Sequence, residues 1–204
     1  MQAIIQYNSR KLKIDLSKPL DISMPLEASK KNVNAWYIDE PRIEPVKDGE
    51  WIAAVSEGAS INFNNIHFNP HAHGTHTECA GHITEKVHSI NKNLKQFFFL
   101  AEVITVAPEN YLKDKAVSKK QLQFALGNKK RDAVIIRTIP NLKEKISKQY
   151  SNTNWPYLLE DAVKFLVKKG VKHLLIDTPS IDREKDGGEL LGHHAFWNTS
   201  GKLR

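Results

Sequence analysis

A single cysteine, Cys79, occurs in 204 residues. That excludes a disulfide framework and the paired-cysteine spacing of a zinc finger, and it fits a reducing, cytoplasmic setting. Long apolar runs are missing as well. The longest block, Phe97-Phe98-Phe99-Leu100-Ala101, falls far short of the ~20 residues that cross a bilayer. The opening Met1-Gln2-Ala3-Ile4-Ile5-Gln6-Tyr7 has neither the basic start nor the extended apolar core of a secretion signal. No internal repeat is found. A soluble cytoplasmic protein with no membrane partner is the expectation.

Positive charge is in excess, with 30 Lys and Arg against 23 Asp and Glu and a formal net charge of +7. The lysines are dispersed from Lys11 and Lys13 through Lys119, Lys120, Lys129 and Lys130 to Lys168 and Lys169, and acids interleave with many of them. This pattern reads as solvated surface and not as a nucleic-acid face, although a positive field would also attract anionic substrates such as carboxylates. A hydrophobic share of 40% suffices for a core, and the length fits one domain.

The concentration of chemistry lies in one stretch. Asn69-Pro70-His71-Ala72-His73-Gly74-Thr75-His76-Thr77-Glu78-Cys79-Ala80-Gly81-His82 holds four of the nine histidines, an acid and the only cysteine. Packing does not call for such a composition, whereas neutral imidazoles with a carboxylate are ligands for zinc, manganese or iron. His76 and Glu78 are two apart, so an extended backbone sets them on one face. Gly74 offers a positive φ or a close backbone approach, as a ligand-bearing turn often needs. Cys79 is a poor nucleophile here and reads as a small packed neighbour.

Gly74-Thr75-His76-x-Glu78-x-x-x-His82 resembles the His-x-Gly-Thr-His-x-Asp-x-Pro-x-His signature of the cyclase-type metal-dependent hydrolases, a family that includes arylformamidases. Three positions depart from it. The first histidine falls on Ala72, with His71 and His73 on either side, the aspartate is Glu78, and the proline is Ala80. Asp15-Leu16-Ser17-Lys18-Pro19-Leu20, followed by Met24-Pro25, is similar to the family's opening segment. Asp177-Thr178-Pro179-Ser180-Ile181-Asp182 is similar to a later one.

The resemblance implies a divalent metal, zinc or manganese, held by His71, His76 and Glu78, with His73 competing for the first place. It implies a second metal-facing ligand at His193, with His194 the alternative, and His82 as general acid–base; an imidazole's ordinary pKa of about 6.5 suits that task. The family's further glutamate has no counterpart after Glu189. The chain is therefore expected to form a single cyclase-like domain over 1–204, short at its C-terminus, and to hold at most one ion tightly, with Asp182, Asp186 or Glu189 the possible substitutes. The implied reaction is hydrolysis of a non-peptide amide, formamide or cyclic imide C–N bond by a metal-activated water. The implied assembly is a homodimer in which the segment from Leu26 to Glu50 lies near the partner's site. Two other readings stand beside it: a degenerate metal-binding member without turnover, and a binding protein using the basic surface.

The rest of the chain supports a mixed α/β fold. Residues 3 to 16 read as a hairpin around Asn8-Ser9. Residues 26 to 50 read as an irregular polar loop. Strands are expected over 51–55, 61–68, 97–106, 132–138 and 171–177, with 132–138 buried on both faces. Helices are expected over 119–126, capped by Ser118 and stopped by Gly127, from Pro156 to Gly170, and over 188–197. Alternating strands and helices in the second half imply parallel pairing. The resemblance implies a swivelling β/β/α arrangement, with a β-rich body and helices outside.

Overall fold

The computed structural model describes residues 1–204. It opens with an antiparallel hairpin, β1 (Gln2–Tyr7) and β2 (Arg10–Asp15), in which Tyr7 pairs with Arg10 across the turn. Asn8 takes φ 53° there, a left-handed turn conformation that asparagine tolerates.

The segment read as irregular contains β3 (Arg42–Pro45) and β4 (Lys47–Asp48). β4 pairs with β5 (Trp51–Ile52), and β3 pairs antiparallel with β6 (Asn64–His67). The strand expected over 61–68 is thus shorter, and the one expected over 51–55 ends at Ile52 and passes into a 3-10 turn at Val55–Glu57. The pairing of β3 was hidden because Pro41 and Pro45 bracket it; proline is tolerated where a strand begins or lies at an edge.

Two short helices follow, α1 (Pro70–His73) and α2 (Ile90–Asn93). The second half alternates strands and helices. β7 (Ala101–Val106) leads to a hairpin of β8 (Glu109–Tyr111) and β9 (Asp114–Val117), then to α3 (Lys119–Leu126) and β10 (Ala133–Thr138). β11 (Tyr157–Leu158) pairs parallel with β9. α4 (Glu160–Lys168), β12 (His173–Ile176) and α5 (Leu191–Trp197) complete the chain. β12, β10 and β7 form a parallel sheet in that order. The mixed α/β class and the parallel pairing are as expected.

Local chemistry explains the helices. The Ser118 side chain accepts from the Gln121 amide while the Gln121 side chain accepts from the Ser118 amide, a reciprocal capping box at the start of α3. Gly127, with φ 52°, ends it. α4 begins after Pro156, not at it. Tyr157 and Leu158 are pulled into the strand pairing with β9, and the helix starts at Glu160. Its stripe of Ala162, Val163 and Leu166 is fully buried against Leu122, Val134 and Ile136. The last helix is also shorter than expected, because residues before Leu191 are taken up by turns at Gly187 and Gly188.

Two expectations fail for one reason. The strand read from Phe97 begins only at Ala101, leaving Phe97 and Phe98 71% and 81% exposed. β10 is not buried on both faces either. Its Val134 and Ile136 face α3 and α4, whereas Ile135 pairs across with Val103, 58% exposed, and Leu175, 38% exposed. An apolar run signals burial but not which element supplies it. Here no helix covers the second face.

Candidate metal centre

Asn69 caps α1 by accepting from the His71 amide at 2.9 Å, and Pro70 occupies the first helical position, where its missing N–H costs nothing. One turn of helix turns His71 toward the site and His73 away from it. His73 is buried: its Nδ1 accepts from the Asn69 amide at 2.9 Å and its Nε2 contacts the Asp39 carbonyl at 2.8 Å. Of the two, His71 lies beside Glu78, and both ring nitrogens of His73 are engaged elsewhere.

From Gly74 the chain runs extended, bringing His76 and Glu78 to the same side. Gly74 itself has φ 177° and open space around a built Cβ. Neither a positive φ nor a close approach requires glycine there, contrary to expectation. The glycine that is required is Gly81, where a Cβ would run into the His88 carbonyl; the Cys79 thiol donates to that same carbonyl at 3.0 Å. The 3-10 turn Ala80–His82 then folds His82 back over Glu78. Met24, from the Met-Pro segment near the N-terminus, donates its amide to Thr75 Oγ1 at 3.0 Å, so the two separated sequence anchors meet in space.

Glu78 is the hub. Its Oε2 lies 3.3 Å from His71 Nδ1, 3.8 Å from His76 Nε2 and 3.7 Å from His82 Nε2, and its Oε1 lies 3.0 Å from His193 Nε2. The rings of His71 and His82 stack at 4.3 Å. His193 arrives from α5 in a buried position, whereas its neighbour His194 is exposed and bonds Thr199 instead.

Asp182 orients His193. Its carboxylate accepts from His193 Nδ1 at 2.5 Å, from the His193 amide at 3.0 Å and from the Gly192 amide at 2.6 Å. Gly192 is needed for this approach, since a Cβ there would sit 2.7 Å from Asp182 Oδ1. Asp182 is thus spent on His193 and does not face the cluster. Asp186 is spent too, accepting from the amides of Gly188 and Leu190, and Glu189 is exposed at the surface.

The electrostatics follow. Burial alone would raise Glu78, but hydrogen bonds from His193 and His76 and the nearby imidazoles hold it far below the carboxylate range. Burial alone would lower His193, but its bonds to Asp182 and Glu78 outweigh that and push it up to about 9. His71 is held below its ordinary value, by burial first and then by His82 and His76. His76 is raised by its bond to Glu78, against the opposing effect of burial.

The donor set fits a divalent ion. Ligand atoms of His71, Glu78 and His82 lie within 4.8 Å of one another. Bonds of 2.0–2.2 Å in a tetrahedral site separate donor atoms by about 3.3–3.6 Å, a range that includes the His71–Glu78 spacing of 3.3 Å. His82, read from the signature as acid–base, is therefore also within reach as a ligand.

A histidine–carboxylate cluster of this kind could hold a metal ion. Residues 14–183 match the model of the Cyclase family, and the chain belongs to that family. A kynurenine formamidase of Bacillus cereus is 27% identical over 183 residues, covering 89% of this chain and 78% of that protein. Two solved structures align with a TM-score of 0.52 at 15% identity, covering 86% of this chain and 77% of each. One is a predicted metal-dependent hydrolase from Bacillus stearothermophilus, and the other a potential metal-dependent hydrolase with cyclase activity.

The sequence did not reveal the residues behind the site. Asn32 is buried and bonds the His73 carbonyl, and Trp36 bonds the His71 carbonyl. Tyr37 bonds the buried Glu184. No helix is long and apolar enough to cross a membrane.

Proposed function

We propose that this chain is a metal-dependent hydrolase of the cyclase and arylformamidase type, cleaving a non-peptide amide, formamide or cyclic imide C–N bond. The observation that carries the reading is the convergence of four imidazoles on one half-buried carboxylate, Glu78. A divalent ion held by His71, His76 and Glu78, with His193 facing the centre from the other oxygen of Glu78, would lower the pKa of its water to about 7 and polarise the substrate carbonyl. Zinc and manganese both suit these ligands.

The chain's own residues supply the rest. Glu78 contributes the negative charge that offsets the cation. Asp182 fixes the tautomer and direction of His193 through Nδ1, leaving Nε2 aimed at the centre. His82 is partly exposed at the rim, where it can carry a proton between solvent and the leaving nitrogen. The likeness to a kynurenine formamidase of Bacillus cereus supports starting a substrate panel with formylated aromatic amines.

One observation favours a second reading, metal binding without turnover: only one carboxylate faces the cluster. Elemental analysis combined with assay of formylated aromatic amines and cyclic imides separates the two. Bound metal with turnover is the expected result. Metal without turnover supports the second reading, and neither would support a binding protein that uses its basic surface.

A further inference from the structure

We propose that Trp36 and Trp155 form a positioning bracket that sets the distance between His71 and His193 across the centre. The proposal rests on reading that centre as a metal site. The Trp36 indole N–H donates to the His71 carbonyl at 3.2 Å. The Trp155 indole N–H donates to the Asp182 carbonyl, also at 3.2 Å. The two rings meet edge to face, with centroids 4.9 Å apart at 86°. Asp182 in turn grips His193 through its carboxylate. A continuous line of contacts therefore runs from the backbone of one ligand, through two indoles, to the ring of the other.

The ligands need such a brace. His71 stands on a single helical turn, and His193 on a seven-residue helix more than a hundred residues away in sequence. No backbone pairing joins α1 to α5. Indole suits the task, being rigid, with a donor at one edge and a broad apolar face for its neighbour. Trp155 is 1% exposed and packs with Val33, Ala35 and Tyr150 in a small core of its own, so its position is fixed.

Backbone strain marks the same place. Trp36 and Tyr37 hold φ of 62° and 61°, the left-handed region that bulky residues avoid. Two such residues in succession persist only where the surroundings hold them. The holding contacts are visible: the Trp36 bond to His71, the Tyr37 hydroxyl bond to Glu184 and the Tyr37 amide bond to Ser151 Oγ. Strain at this loop is thus tied directly to the placement of His71. Neither indole is bonded to Glu78 or to any donor atom of the cluster, so the bracket acts through the ligands and not on the reacting atoms.

The test uses Co²⁺ as probe on the full chain, with benzothienylalanine replacing Trp36, which preserves shape but deletes the N–H. 5-Fluorotryptophan installed at the same position keeps the donor. Loss of an outer partner of a metal ligand costs about 10–100-fold in metal affinity. The benzothienyl protein should weaken Co²⁺ binding by that factor and shift the visible absorption bands. The fluorotryptophan protein should match wild type in both. Trp155→Phe should weaken binding in the same direction. If the benzothienyl protein binds Co²⁺ with wild-type affinity and spectrum, the bracket is refuted while the metal reading stands. If wild type itself binds no Co²⁺, the metal reading falls and the bracket with it.

Discussion

Asp182→Asn is the most informative single change in this protein. Asp182 is 5% exposed and accepts from three donors: the Gly192 amide, the His193 amide and His193 Nδ1. Asparagine has nearly the same shape but only one accepting oxygen. If that oxygen faces Gly192, both His193 donors meet an NH2 group. If it faces His193, the Gly192 amide is orphaned. Each buried donor left without a partner costs about 1–3 kcal/mol, and charged acceptors are worth more, so the folded protein should lose roughly 2–4 kcal/mol. Urea denaturation of the metal-free protein measures this, since its midpoint scales with stability. The ring of His193 would also lose the partner that fixes its tautomer. Co²⁺ or Zn²⁺ affinity should fall about 10–100-fold, or about 1.4–2.7 kcal/mol. Stability within ~0.5 kcal/mol of the parent, together with unchanged metal affinity, would refute the assigned role.

Three further outcomes are expected. His71→Ala should abolish tight metal binding with little loss of fold, whereas His73→Ala should cost about 1–3 kcal/mol of stability by orphaning the Asn69 amide and leave metal binding largely intact; paired calorimetry and denaturation read both, and the reverse pattern would overturn the assignment. Glu184 is held below its ordinary value: burial opposes this, but the Tyr37 hydroxyl and the amides of Asn154 and Asn152 prevail. A depressed carboxylate contributes stability that is present above its unfolded pKa and lost as pH falls through the folded value, so Glu184→Gln should flatten the acid limb below pH 4.5, the unperturbed value, in a pH series of denaturation midpoints. A homodimer remains the expected assembly, and a monomer in light scattering at micromolar concentration would refute it.

What could be read in advance was what short-range chemistry dictates. Ser118, Gln121 and Gly127 fix the ends of α3 through their own side chains and φ, and the stripe of α4 needs only a period of 3.6. The histidine-rich stretch was legible because packing has no use for it. The failures share a cause. Pro156 looks like a helix start until β9 offers Tyr157 a strand partner, and β3 looks like loop until β6 pairs with it. His71 and His73 are equivalent in composition and are separated only by the direction of one helical turn. Asp182 was weighed as a metal ligand, but its role depends on the amides of Gly192 and His193, which arrive ten residues later on another element. The Trp36–Trp155 contact joins positions more than a hundred residues apart and leaves no periodic trace.

That use of Asp182 bears on how many ions the centre can hold. Two divalent ions in a shared site lie about 3.5–4 Å apart, and their mutual repulsion at an effective dielectric of about 20 is roughly 18 kcal/mol. Carboxylates must offset this, since neutral imidazoles bring no charge. Only Glu78 faces the four histidines. Asp182 already accepts from three donors, and turning it inward would strand two buried amides and free the His193 ring. Asp186 is tied to the amides of Gly188 and Leu190. One tightly bound ion per chain is therefore the expected stoichiometry, measured by elemental analysis after dialysis and by calorimetric titration. Two tight ions per chain would mean that Asp182 or Asp186 abandons its amides on binding, and the Asp182→Asn and Asp186→Asn proteins would show which one by losing the second ion alone.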